Sequence, residues 1–241
     1  MTSRNVDLLS EEGYRVDGRR PDQVRDIACR LGIFQQADGS ALFEMGNTRV
    51  LAAVYGPHEV RTSRVKQHDK AVVNCQYSMA TFSTADRKLR PRGDYRSLEI
   101  TANIKQVFET AILTQLYPHS QIDIYLEVLQ SDGSNYASCV NAATLALIHA
   151  GISLKDVVSA SSAGLIDSKT IVDVNFTEES ISSTPVLTTA LMPKTKEVLS
   201  MESTGRLAFD SLEAVMDAAT QGCLQVYDVM KEAILFYLTE K

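Results

Sequence analysis

Tryptophan is absent from the sequence, and cysteine, histidine and proline are sparse, at four, four and six in 241 residues. The missing tryptophan removes one strong stacking anchor. Cys29, Cys75, Cys139 and Cys223 are widely scattered and form no CxxC pair. That spacing argues against a zinc site and a disulfide framework, and for a reducing compartment. The histidines are equally scattered, so no metal or other cofactor is expected. No apolar stretch approaches the ~20 residues needed to span a bilayer. Residues 1–7 lack the apolar core of a signal peptide, so no membrane association is expected.

A global excess of positive charge is missing too, since the net charge is −6. Its distribution is uneven. Between Arg61 and Arg96 there are nine Lys and Arg (Arg61, Arg64, Lys66, Lys70, Arg87, Lys88, Arg90, Arg92, Arg96) against three Asp, a +6 segment in an acidic chain. A basic island of this kind is a local site for phosphates; the alternative is a solvated loop.

What remains is an ordinary globular composition, 44% hydrophobic and 22% charged. Residues 1–26 read as a polar N-terminal arm. Strand signals separated by turns follow from Cys29 to Tyr55, including the hairpin turn Ala37-Asp38-Gly39-Ser40. A further strand is expected from Ala71 to Phe82. A helix is expected over 96–116, with Leu98, Ile100, Ile104, Val107, Phe108, Ala111, Ile112 and Leu116 on one face. An alternating run, Ile122 to Leu129, leads through a turn into a small-residue helix, Ala137 to Ala150. Four strands near 159–166, 170–174, 186–192 and 197–201 and a long amphipathic helix, about 210–238, complete the pattern. The polar run Thr177 to Thr184 reads as a long loop. Hairpins then helices, twice over, indicate an α+β fold in two similar halves, 27–153 and 154–241.

The turn Gln130-Ser131-Asp132-Gly133-Ser134-Asn135-Tyr136-Ala137 is the most informative segment. A strand feeding an Asp-Gly turn and a helix N-terminus brings backbone N–H groups and the helix dipole to one place, where they can hold a phosphate. The turn resembles the phosphate loop of the RNase PH family of phosphorolytic 3′→5′ exoribonucleases. Other segments extend the resemblance in register: Gly13 to Arg20, Ala37 to Ala41 with Gly46-Asn47-Thr48, Ala53 to Pro57, Pro118 to Ile124, and Asn141 to Leu147. Within that family, Asn74 to Ser78 with Thr81-Phe82-Ser83-Thr84 is similar to the ring subunits of the eukaryotic RNA exosome.

The resemblance implies the RNase PH fold (ribosomal protein S5 domain 2-like), two βαβ-like halves in one compact domain. It implies a ring of six such subunits around an RNA-conducting channel, cap RNA-binding subunits above, a hydrolytic exoribonuclease as partner, and residence in nucleus, nucleolus and cytoplasm. Active members attack the RNA 3′ end with inorganic phosphate. Carried over residue by residue, the phosphate-loop arginine falls on Tyr136, a phenol without positive charge. Arg96 matches the arginine at the helix start, and Ser134 keeps a donor. The acidic pair spaced six apart falls on Glu179 and Pro185, and proline has neither ligand atom nor proton. Asp173 and Glu178 stand nearby as possible substitutes. The expected site is therefore degenerate, with no catalytic residue and no metal.

RNA binding survives such losses. Arg61 and Arg64 match the channel-neck loop, and Arg87, Lys88, Arg90, Arg92 and Arg96 form a second group suited to sequence-independent phosphate contacts with single-stranded 3′ ends. Tyr95 either stacks on a base or packs in the core or an interface, the latter favoured. His119, His149 and Cys139 read as structural. The expectation is a non-catalytic ring subunit for rRNA processing and for mRNA and non-coding RNA decay. The alternative is an active phosphorolytic exoribonuclease using Arg96, Asp173 and Glu179.

Overall fold

Alternating side chains in the first half are explained by a five-stranded sheet with one face packed on helices. The computed structural model describes residues 8–10, 12–60, 69–87, 93–166, 169–182 and 184–240. Strands β1 (Ile27–Leu31), β2 (Gly39–Met45), β3 (Thr48–Glu59), β5 (Ser120–Gln130) and β4 (Val72–Met79) lie side by side in that order. All pairs are antiparallel except β4 with β5, which run parallel. Helix α1 (Tyr95–Ala111) makes the crossover that parallel neighbours require. Phe43, Val50, Ala52, Val54, Ile124 and Leu126 are buried on the sheet face that α2 (Asn135–His149) covers, while α1 packs on β4.

The second half is a four-stranded antiparallel sheet, ordered β7 (Lys169–Val172), β6 (Ser159–Ile166), β8 (Val186–Met192) and β9 (Glu197–Thr204). Both β7 and β8 run against β6, so they are mutually parallel with β6 between them. A short helix α3 (Phe176–Ser182) joins β7 to β8. The two halves therefore share a β-α-β unit, adjacent in the first and split in the second. The 32-residue helix α4 (Phe209–Glu240) packs on β6, β7 and β8. One core cluster draws residues from both halves, Ile104 and Leu145 with Ala190 and Val226, so neither sheet stands alone.

Helix α4 lies close against the second sheet at Gly222. A Cβ there would lie 2.5 Å from Ser161 Oγ and 2.6 Å from Val172 Cγ1. We expect Gly222→Ala to lower stability by about 1–3 kcal/mol through overpacking. This outweighs the gain of about 1 kcal/mol that alanine brings to a helix interior. Urea denaturation midpoints test it, and a raised midpoint would mean that helix and sheet separate easily.

Several expectations are corrected. Thr177 to Thr184 is not a long loop, since α3 occupies 176–182. Asn175 explains this helix: its Oδ1 accepts from Glu178 N at 2.9 Å, while Asn175 N donates to the Glu178 carboxylate at 3.0 Å. That reciprocal pair is a capping box. Leu98 and Leu116 are exposed, not part of the buried face of α1, which ends at Ala111. The polar arm is no mere lead-in, because Arg15 and Arg25 are buried against the second half.

Candidate functional site

The Asp-Gly turn lies where the two halves meet. Gly133 has φ +81°, and a Cβ there would come within 2.6 Å of Val174 O, so the turn is pressed against the backbone after β7. Only glycine accepts both conditions. Ser134 follows in the left-handed region, at φ 52°, and α2 begins at Asn135. Its Oγ lies 3.0 Å from Asp173 Oδ1 and 3.1 Å from Val174 O, and it also touches Ser162 Oγ.

Behind the turn sits a buried ion cluster that sequence reading did not anticipate. Asp173 is fully buried, and Arg25 grips both its oxygens, Nε to Oδ2 and NH2 to Oδ1, each at 2.7 Å. Arg25 also donates to Asp132 O at 2.7 Å, and Arg19 reaches Asp173 Oδ2 at 3.3 Å. Burial alone would raise the Asp173 pKa. The hydrogen bonds and charge of Arg25, with Arg19 behind them, hold it below the ordinary value instead. Arg15 forms a second buried pair with Glu178, donating through Nε at 2.7 Å and pairing again through NH2. The N-terminal arm thus ties the Asp-Gly turn to α3.

In front of the turn opens a cavity of about 450 Å³. Its walls are the start of α1 (Asp94, Arg96, Ser97), the turn and α2 start (Ser131, Gly133 to Tyr136), α3 (Phe176, Glu179, Ser180) and the second sheet (Val186, Thr188, Glu202, Thr204). Among the described wall residues, one cation, Arg96, faces three carboxylates, Asp94, Glu179 and Glu202. Burial, then the Glu99 carboxylate, holds the Glu202 pKa above its usual value, against the pull of Arg96 and a hydrogen bond from Asn103. Tyr136 is only 7% exposed and its hydroxyl lies 3.1 Å from Ser200 Oγ. Burial pushes its pKa up to about 12, against the Ser200 hydrogen bond, so the phenol is neutral near pH 7.

The structure thus brings Arg96, Ser134, Tyr136 and Glu179 together on one cavity. It does not bring Asp173 or Pro185 there. Asp173 is spent on Arg25 behind the wall, and Val186, not Pro185, lines the cavity. Glu178, like Asp173, is no solvated loop carboxylate; both are buried. Tyr95 is 85% exposed, so the core reading of that residue is corrected. Arg87 is exposed, whereas Arg61, Arg64, Lys88, Arg90 and Arg92 lie outside the described residues. Ser138 is buried in α2 and off the cavity wall, and Cys139 is fully buried with its thiol pKa raised by that burial. His149 accepts a hydrogen bond at Nδ1 from Ser40 N, at 3.2 Å, beside Tyr237. Reading 177–184 as a loop leaves out Ser180 as a wall residue. The Asn175-x-x-Glu178 spacing is the signal that finds it.

The model of the 3′ exoribonuclease family (RNase PH), domain 1, matches residues 23–153, and that of its domain 2 matches residues 156–222. "Exosome complex component RRP41" of Homo sapiens is 50% identical over 236 residues, covering 98% of this chain and 96% of that protein. "Exosome complex component Rrp41" of Methanopyrus kandleri is 38% identical over 234 residues, covering 97% of each. Among solved structures, rice Rrp46 superposes with a TM-score of 0.78 at 24% identity, over 91% of this chain and 100% of that one. An Archaeoglobus fulgidus exosome with RNA bound to the active site gives 0.76 at 19% identity, over 90% and 92%. At these identities the structural matches establish the fold.

Proposed function

The chain belongs to the RNase PH, or 3′ exoribonuclease, family, and on that premise we propose that it is a ring subunit of an RNA exosome that guides RNA without cleaving it. The near full-length similarity to exosome components supports the assembly. The charge of the cavity carries the non-catalytic part. Phosphorolysis requires an anionic phosphate held beside an anionic phosphodiester. Among the described wall residues, one arginine against three carboxylates opposes both, and Tyr136 supplies only a neutral hydroxyl. The partial positive charge at the α2 N-terminus offsets this by a fraction of a charge at most.

In this reading, single-stranded RNA passes sequence-independently along Arg96, Arg87 and the basic segments around Arg61–Arg64 and Lys88–Arg92. Other RNase PH-like subunits complete a six-membered ring, cap subunits feed it, and a separate hydrolytic nuclease cleaves. The substrates are rRNA precursors and decaying mRNA and non-coding RNA, in nucleus, nucleolus and cytoplasm. The second reading, active phosphorolysis, is favoured by Arg96 and Glu179 facing one intact cavity.

A ring reconstituted without the hydrolytic nuclease decides between them. The expected result is no phosphate-dependent release of nucleoside diphosphate from 3′-labelled RNA, with RNA affinity that falls steeply as salt rises. Phosphate-dependent release abolished by Arg96→Ala would sink the non-catalytic reading.

A further inference from the structure

A second hollow of about 530 Å³ continues from the cavity across Thr84 and Ser131, which line both. Its other walls include Phe82, Ser83, Arg49 and Gln130. The hydroxyl of Ser83 is walled in, the residue only 3% exposed, yet it has no hydrogen-bond partner among the described residues. Phe82 is 73% exposed on a turn pinned from beneath, where Ser83 N donates to Ala80 O at 3.0 Å and Ser131 N to Ser83 O at 2.9 Å. Arg49 is half exposed and pairs with Glu44 at 3.0 Å. Neither the ring nor the orphan hydroxyl is explained by packing within the chain.

We propose that this hollow is a nucleotide subsite for single-stranded RNA, in which one base stacks on Phe82 while Arg49 faces its phosphate. Continuity with the cavity commits the occupant: a strand whose end enters the cavity continues across Thr84 and Ser131 into this hollow. A pinned turn presents the ring without ordering cost, and every base offers a π-face, so the subsite is indifferent to sequence. The Gln130 amide, on the hollow's wall, supplies hydrogen-bond partners for a base edge or ribose hydroxyl. The inference rests on the RNA-handling reading above.

The test uses the reconstituted ring and single-stranded RNA of about ten nucleotides, with affinity measured by fluorescence anisotropy. Phe82→Ala is expected to weaken binding about five- to tenfold, at the lower end for an aromatic stacking partner. Phe82→Tyr is expected to retain wild-type affinity. An abasic nucleotide scanned along the RNA should reproduce the loss at one position, and combining it with Phe82→Ala should add nothing further. Arg96→Ala serves as the control for the parent reading. If it weakens binding while Phe82→Ala does not, this subsite is wrong and the RNA reading stands. If neither wild type nor variants bind, the parent reading falls. A Phe82→Ala subunit that no longer joins the ring would place Phe82 under a neighbouring protein and overturn the subsite.

Discussion

Replacing Arg25 by methionine is expected to lower the unfolding free energy by about 3–5 kcal/mol, the cost of leaving one partner of a buried ion pair alone. Asp173 is fully buried and takes donations from Arg25 N at 3.0 Å, Nε at 2.7 Å and NH2 at 2.7 Å. Arg19, at 3.3 Å, is a poor substitute. The pH dependence follows from the direction of the Asp173 shift. Its folded-state pKa lies below the unfolded value of about 3.9, so its stabilisation is complete above that pH. It is lost as pH falls through the folded value. In Arg25→Met burial is no longer opposed by that guanidinium, so Asp173 takes up a proton more readily. The gap between wild type and variant should narrow in acid. Urea denaturation at pH 7 and near pH 3 checks both claims, and a gap that is unchanged or wider in acid would remove Asp173 as the cause.

The same cluster shows what was legible in the sequence. Strand β3 and helix α4 follow from local periodicity, because each buries one face whose spacing is written along the chain, whereas α2, buried on every side from Tyr136 to Leu147, follows from its run of small residues. The Asp-Gly turn was legible too, since its chemistry is local. Arg15 and Arg25 were not. Their partners, Glu178 and Asp173, stand 163 and 148 residues away, and no local pattern separates a buried arginine from a solvated one. Helix α3 was missed for a different reason: at seven residues it is too short to show a period. Its capping box carried the signal instead. The six-residue spacing of the acidic pair placed the second position on Pro185. A spacing says nothing of which side chains face the cavity, and there the structure has Val186, the neighbour of Pro185.

This difference of one residue sets up the larger functional effect. Placing an arginine at position 136 together with a carboxylate at 186 should produce phosphate-dependent release at least about 100-fold above the wild-type ring, comparable to what a single preorganised electrostatic contact supplies in other active sites. Tyr136→Arg puts a guanidinium fork on the cavity wall, at the start of α2, where it can bind phosphate oxygens bidentately. A bound phosphate oxygen then attacks the terminal phosphodiester phosphorus and the bond to the upstream O3′ breaks. Nucleoside diphosphate leaves, and the new 3′ oxygen takes up a proton. Val186→Asp supplies a carboxyl for that proton transfer beside Glu179 and Ser180, and partial burial near Glu179 should raise its pKa toward the useful range. Tyr136→Arg alone should bind phosphate and stay slow, because the proton step still lacks its group. Tyr136→Arg with Pro185→Asp should behave like the single variant, since Pro185 is not on the cavity wall. Equal activity from the 185 and 186 carboxylates would show that the cavity rearranges around RNA, and silence from both pairs would mean the site lost more than these two contacts.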